Sequence, residues 1–356
     1  LKPTPHDPRP LLLDLPPESW PLPPEAAYRR RQLTQWIFEK RAGDFGAMSN
    51  LPATLRTELA AAFRVRGLEL LRVQGAADTT QKLLFKLNEG DFIECVVIPA
   101  SPALYGERSD RHTLCVSTQV GCAYGCKFCA SGLEGWKRNL TPGEIVGQIM
   151  EAERHTGKKI NNLVFMGMGE PMANFDNLMA AIDRINAPDG LNIGARHITI
   201  STSGLVPRIR DLADQPRQIR LAISLHGASN EVRNRIMPVN KKHPVEDLLA
   251  ACAYFAGKKK QKITFEYILI RGINDGEDQA RLLAAHARRL QAKVNLIPYN
   301  TVEGLEWTRP ELPVIERFRD IVEHGGATVT LRLEKGHDID AACGQLRLKE
   351  MRQAAG

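Results

Sequence analysis

A chain of 356 residues, 43% of them apolar, is long enough for one large domain with a substantial core and a smaller accessory one. Lysine and arginine outnumber aspartate and glutamate by 48 to 41, and the resulting charge of +7 suits an anionic partner without identifying one. No stretch of about eighteen apolar residues occurs, so no membrane span is expected; seven cysteines, three of them clustered, argue against a disulfide scaffold and for a reducing, cytoplasmic setting.

Nine prolines fall within residues 1–24, which predicts an extended or poorly ordered arm without regular structure. Leu11, Leu12 and Leu13 are its one apolar run and, set among prolines, do not read as a secretory signal. Residues 25–67 turn helical, with Tyr28, Leu33, Trp36 and Ile37, then Leu51, Leu55, Leu59 and Phe63, at three- and four-residue steps. Arg29, Arg30 and Arg31 lie on the outer face of this small module. Residues 68–104 read as a β linker, two strands turning at 88–91, followed by a polar loop over 101–111.

Residues 105–346 alternate strand and helix. Strands are predicted over 112–117, 161–165, 197–201, 220–225, 263–270 and 293–297, with a short last one over 328–333. Helical patterns fill 141–156, 175–185, 206–212, 244–256, 276–289 and 312–323; the first opens on Thr141, Pro142 and Glu144, a cap, a proline and an acid in the right places. This alternation implies a parallel sheet, curved into a full or partial barrel or doubly wound. Residues 347–356 form a tail.

The most specific chemical signal is Cys122-x3-Cys126-x2-Cys129. Three thiolates hold three irons of a [4Fe–4S] cluster and leave the fourth open, the arrangement that reductive cleavage of S-adenosylmethionine requires. Zinc is the competing reading, but it prefers four ligands in paired modules, and the nearest upstream cysteine, Cys115, sits in an apolar run. Polar turns then recur at successive strand ends, where barrel enzymes place their sites: Gly167 to Pro171 with Gly169 and Glu170, Ser201 to Gly204, Ser224-Leu225-His226, and Tyr299-Asn300. Near the end, Cys343 stands among small residues, poor core material and suited to a mobile loop. Cys95 and Cys252 read as core. Glu94 interrupts an apolar run and by alternation alone faces solvent.

Taken together, these motifs resemble the RlmN/Cfr family of radical S-adenosylmethionine RNA methyltransferases, from about Tyr28 to Leu346. The matches run in order: Leu114 to Cys122, Gly167 to Pro171, Ser201 to Gly204, Ser224 to His226, and Asp338 to Leu346. The adenine-C2 branch is the nearer one. The resemblance implies a six-strand partial barrel behind an N-terminal helical RNA-binding module. It implies one [4Fe–4S] cluster on Cys122, Cys126 and Cys129, and two molecules of S-adenosylmethionine per turnover. Cofactor contacts fall on Gly169, Glu170, Ser201, Ser224, Leu225, His226 and Asn300. Cys343 becomes an S-methylated carrier, Cys115 resolves the tethered product through a transient disulfide with Cys343, and Glu94 is the proton acceptor. Implied partners are 23S ribosomal RNA, tRNA and a flavodoxin or ferredoxin; the chain is expected to be a monomer off the membrane.

Two rivals remain at this point. A non-enzymatic iron–sulfur or zinc RNA-binding protein explains the charge and the three clustered cysteines, but not Cys115, Cys343 or the polar strand ends. Methylation at adenine C8, or activation of another protein, keeps the radical chemistry and changes the task.

Overall fold

The computed structural model describes residues 7–23, 27–76, 79–100, 109–332 and 344–355. Twelve strands are described: β1 (Leu68–Gln74), β2 (Gln81–Leu87), β3 (Phe92–Pro99), β4 (His112–Cys115), β5 (Gln119–Gly121), β6 (Trp136–Asn139), β7 (Asn162–Phe165), β8 (Ile198–Thr202), β9 (Arg220–Ser224), β10 (Thr264–Leu269), β11 (Lys293–Pro298) and β12 (Thr328–Leu331). Ten of them form one sheet in the order β1-β2-β3-β4-β7-β8-β9-β10-β11-β12, while β5 and β6 make a separate ribbon. From β4 to β12 the neighbours are parallel, and β1 to β4 are antiparallel. The sheet is therefore the expected partial barrel, with a seventh short parallel strand, β12, at one edge.

Two of the predicted features need correction. The β linker has three strands, not two, and as β3 pairs with β4 the meander extends the barrel sheet. Nor is the proline-rich arm without structure. Leu12–Asp14 and Pro17–Ser19 each form a single 3₁₀ turn, a unit short enough to tolerate proline at its start. Leu11, Leu12, Leu13 and Trp20 are all buried. The Trp20 indole donates to the carbonyls of Leu12 and Leu15, and Asp14 Oδ1 accepts the Gly143 amide at 2.9 Å. The apolar run finds a surface on the barrel, and burial there outweighs the lack of helical hydrogen bonding.

The helices are α1 (Tyr28–Thr34), α2 (Ala53–Ala62), α3 (Pro142–Thr156), α4 (Phe175–Asn186), α5 (Val206–Asp214), α6 (Asn230–Ile236), α7 (Val245–Lys259), α8 (Glu277–Leu290), α9 (Leu312–His324) and α10 (Gln345–Ala355). Helix α3 starts where its sequence says: Thr141 Oγ1 accepts the Glu144 amide while Glu144 accepts the Thr141 amide, a complete capping box. Leu163, Phe165, Ile198, Ile200, Ile223, Phe265 and Val294 bury their side chains in the core, so the polar residues at the strands' C-terminal ends are left at one rim. Among the described residues no helix is long and apolar enough to cross a membrane.

Candidate active site

The three clustered cysteines lie in the loop between β5 and β6. Gly121 makes this loop possible: its φ is +76°, and a Cβ there would stand 2.0 Å from the Gly135 carbonyl oxygen. That carbonyl instead accepts the Cys122 amide at 2.9 Å, while Cys126 accepts from Cys129 at 3.1 Å and Ile236 from Lys127 at 2.9 Å. The loop is thus tied to its own ribbon and to the end of α6. Burial pushes the Cys122 thiol up to about 12, and burial first, then the neighbouring sulfurs, raises Cys126 further. Thiols drawn together and partly out of water, which repel one another when ionised, are a poor structural motif and a good cation site. Among the described residues no three ligands converge on a single ion, whereas a cluster takes each sulfur on a different iron. The donor set fits a [4Fe–4S] cluster.

Beside the loop, the strand ends form a polar rim. Gly169 has φ +98°, and its backbone passes so close to Gln119 that a Cβ would lie 2.6 Å from that side chain. Gln119 in turn accepts the Glu170 amide at 2.8 Å. The Glu170 carboxylate accepts the amides of Met172 (3.0 Å) and Ser203 (2.7 Å), and burial pushes it above the usual carboxylate range despite those bonds. A buried carboxyl in this state gains most from a bound ammonium. Ser201 and Ser224 bring their hydroxyls within 3.3 Å, and Leu225 is buried, its amide donating to the Glu266 carbonyl in the middle of β10. His226, at φ +54°, accepts the Ile268 amide on Nδ1 at 3.0 Å, which leaves the ring proton on Nε2; burial first, then Arg233, push its pKa down to about 3. Phe128 of the cysteine loop packs edge-on against this imidazole, centroids 4.9 Å apart. Asn300 accepts from Arg309 at 3.1 Å.

Two supports of this rim escaped the sequence reading. Arg233 is fully buried and donates to the carbonyls of Ser203, Ser224 and Leu225 and to Asn240, binding the ends of β8 and β9 together. Burial pulls its pKa down to about 10. Asn274 donates to the His226 carbonyl at 2.7 Å and accepts the Ile270 amide at 2.7 Å. A signal for Arg233 existed: it sits three residues before Ile236, on the apolar stripe of α6.

A second group of candidates meets on the other side of the cysteine loop. Glu94 is 3% exposed, which corrects the solvent-facing reading from alternation. Strand β3 is paired on both sides, and α10 covers it. Glu94 Oε2 lies 3.2 Å from Lys82 Nζ and accepts the Gly344 amide at 3.0 Å; Oε1 accepts the Arg347 amide at 2.5 Å. Glu94 and Cys115 line one narrow crevice with Cys95, Val96, Gly167 and Met168. Cys343 lies outside the described residues. Its covalent neighbour Gly344, at φ +89°, sits against the backbone of Ser131, just past Cys129. Cys95 and Cys252 are buried as core thiols, as expected.

A parallel partial barrel whose first strand leads into a three-cysteine loop, beside a rim of polar strand ends, defines a radical S-adenosylmethionine enzyme. Family comparison agrees: residues 116–284 match the radical SAM superfamily, and residues 24–65 match the ribosomal RNA large subunit methyltransferase N-terminal domain. A probable dual-specificity RNA methyltransferase RlmN of Akkermansia muciniphila is 56% identical over 92% of each chain. RlmN 3 of Opitutus terrae, likewise a probable dual-specificity RNA methyltransferase, is 51% identical over 91% of this chain and 90% of its own. A crystal structure of a radical SAM methyltransferase from Sphaerobacter thermophilus superposes with a TM-score of 0.87 at 41% identity, covering 94% of this chain and 98% of that one. The chain belongs to the RlmN family of radical S-adenosylmethionine methyltransferases, and its cofactors are a [4Fe–4S] cluster and S-adenosylmethionine.

Proposed function

We propose that this protein methylates carbon 2 of adenine in 23S ribosomal RNA and in tRNA, with Cys343 as the methyl carrier. One juxtaposition carries the reading: Glu94 and Cys115 line a single crevice, and the residue after Cys343 is hydrogen-bonded to Glu94. Carbon 2 is flanked by two ring nitrogens and is electron-poor, so it cannot displace a methyl group from a sulfonium and must be reached by a radical. When bound, the cluster and S-adenosylmethionine supply an electrophilic methyl group and a 5′-deoxyadenosyl radical.

The chain's own residues then have separable tasks. Cys122, Cys126 and Cys129 hold the cluster. Glu170 accepts the cofactor's ammonium, while Gly169, Ser201, Ser224, Leu225, His226 and Asn300 contact the rest of it. Cys343 carries the methyl carbon to the ring as a thioether. Glu94 takes the proton from carbon 2, and the electron that radical addition leaves on the ring would return to the redox group that supplied the radical. Cys115, as thiolate, attacks the Cys343 sulfur; the S–S bond forms, the S–C bond breaks, and its electron pair stays with the carbon, which takes up a proton to become the methyl group. Nucleoside mass mapping of RNA treated with the reconstituted protein tests the proposal. 2-Methyladenosine in both RNA classes is expected; 8-methyladenosine, or no methylated adenosine, would overturn it.

A further inference from the structure

Lys82 has no task in the scheme above, yet it is among the most deeply buried charges described. Its side chain is 1% exposed and that of Glu94 3%, with 3.2 Å between Nζ and Oε2. The two stand on neighbouring antiparallel strands: Lys82 is opposite Val96 and Glu94 opposite Leu84, so they share one face of the sheet as a diagonal pair. Taking such a pair out of water is costly, and an apolar pair of similar volume often serves stability as well or better. Leu84, the next residue of β2 on that face, is fully buried, so the surroundings would accept one. Stability gives no reason for the ammonium.

Glu94 gives one. Its two oxygens accept the amides of Gly344 and Arg347, and Oε2 is also ion-paired with Lys82. Those amides belong to the start of α10, which begins two residues beyond Cys343. The backbone of Gly344 is wedged against Ser131 in the turn after Cys129. The same carboxylate therefore faces the crevice containing Cys115 and fixes the start of the helix that follows the carrier cysteine.

We propose that Lys82 is a positioning residue for the release step: it fixes Glu94 in the one orientation that anchors the segment after Cys343 and presents a carboxylate oxygen to the crevice. The inference rests on the methyl-carrier reading. Lys82 acts through Glu94 and touches no substrate. Without its ammonium, the carboxylate is held by the two amides alone, and anchor and base lose their common alignment.

The test compares Lys82→Met, which keeps the apolar stem, with wild type, Lys82→Arg and Cys115→Ala. In single-turnover reactions Lys82→Met should carry wild-type S-methylation of Cys343 and still form the protein–RNA tether, but release it roughly tenfold or more slowly, so that a denaturant-stable adduct builds up. Lys82→Arg, which keeps a buried donor charge, should recover most of the release rate. In the resting holoenzyme, the amides of Gly344 and Arg347 should exchange slowly in wild type and at least about tenfold faster in Lys82→Met. Wild-type release with unchanged exchange would overturn the inference. So would a Lys82→Met protein that loses S-methylation, tether and thermal stability together, the mark of a merely structural residue. Should that variant fail to fold, fast exchange of the two amides in wild type overturns the anchor by itself. Absence of an adduct in Cys115→Ala would instead count against the methyl-carrier reading, leaving the exchange measurement to decide the anchor.

Discussion

The rim and the crevice both bury ionisable groups, and they hold them in different ways. At the rim, Glu170 is bonded by the amides of Met172 and Ser203, and Arg233 gives its protons to the carbonyls of Ser203, Ser224 and Leu225. All of these partners come from successive strand–helix units, so the rim is complete once the parallel sheet has formed. In the crevice, Glu94 is answered by a lysine on β2 and by amides 250 and 253 residues further along the chain. That arrangement exists only when the C-terminal segment has packed. The rim is fixed by the sheet itself, and the crevice depends on a segment from the far end of the chain. Damage to the first should therefore impair cofactor binding, and damage to the second should stop turnover part-way.

The cysteine loop touches both regions, through Phe128 on His226 and Ser131 on Gly344, so breaking it should have the largest effect. Serine at Cys122, Cys126 or Cys129 is expected to abolish cofactor cleavage and RNA methylation alike. Anaerobically reconstituted wild type should hold about four irons per chain, and each variant far fewer. A colourless wild type with stoichiometric zinc would remove the basis for separating rim from crevice.

Cys115 isolates the crevice. Cys115→Ala should leave iron content and S-methylation of Cys343 intact and still form the tether, while methylated product falls to near zero. A shifted, nuclease-sensitive band on denaturing gels reports the trapped adduct, and adding Cys343→Ala should abolish it. Cys252→Ala is the control: this buried thiol on α7 is core, so its loss should cost about 1–2 kcal/mol of stability and leave no band. Normal turnover by Cys115→Ala would make Cys115 a core residue too.

Arg233 isolates the rim. In Arg233→Met the carbonyls of Ser203, Ser224 and Leu225 lose a buried donor, which should cost roughly 3 kcal/mol or more in denaturant unfolding. S-adenosylmethionine affinity should drop by calorimetry. The crevice should be spared, so the amides of Gly344 and Arg347 should exchange as in wild type at equal fractional stability. Faster exchange there would mean that the two regions are one unit.

The same contrast explains what could be read in the sequence. The rim was legible because each of its polar turns directly follows an apolar strand, and local pattern reports such turns. Arg233 was legible only in part: its place on the apolar stripe of α6 points to burial, but the carbonyls that receive its protons come from the ends of β8 and β9. Glu94 was misread by periodicity, since alternation assumes one wet face, whereas β3 has neighbours on both edges and α10 above it. Its lysine partner depends on the β2–β3 register, and its amide partners on the path of the C-terminus. The proline-rich arm was misread for a related reason: prolines exclude a long helix but not burial of Leu11 to Leu13.

The smallest effect is a pH dependence seated at the rim. Burial holds His226 near a pKa of 3 in the folded protein, against about 6.5 for the unfolded chain. Above pH 6.5 the ring is neutral in both states and contributes nothing to the pH dependence. As the pH falls from 6.5 towards 3, the unfolded chain takes up a proton that the folded protein refuses, so stability drops with falling pH. At about 1.4 kcal/mol per pH unit, the loss from this one group is about 2 kcal/mol by pH 5. His226→Asn removes the titration, keeps an acceptor for the Ile268 amide, and tolerates the left-handed backbone at φ +54°. Denaturant unfolding of both proteins at pH 7 and pH 5 should show wild type losing about 2 kcal/mol more than the variant. The cluster and every other titrating group are common to the two proteins and cancel in that difference. Equal losses would mean that the imidazole takes its proton in the folded state, with Nδ1 free of the Ile268 amide, and that the rim is looser than its hydrogen bonds describe.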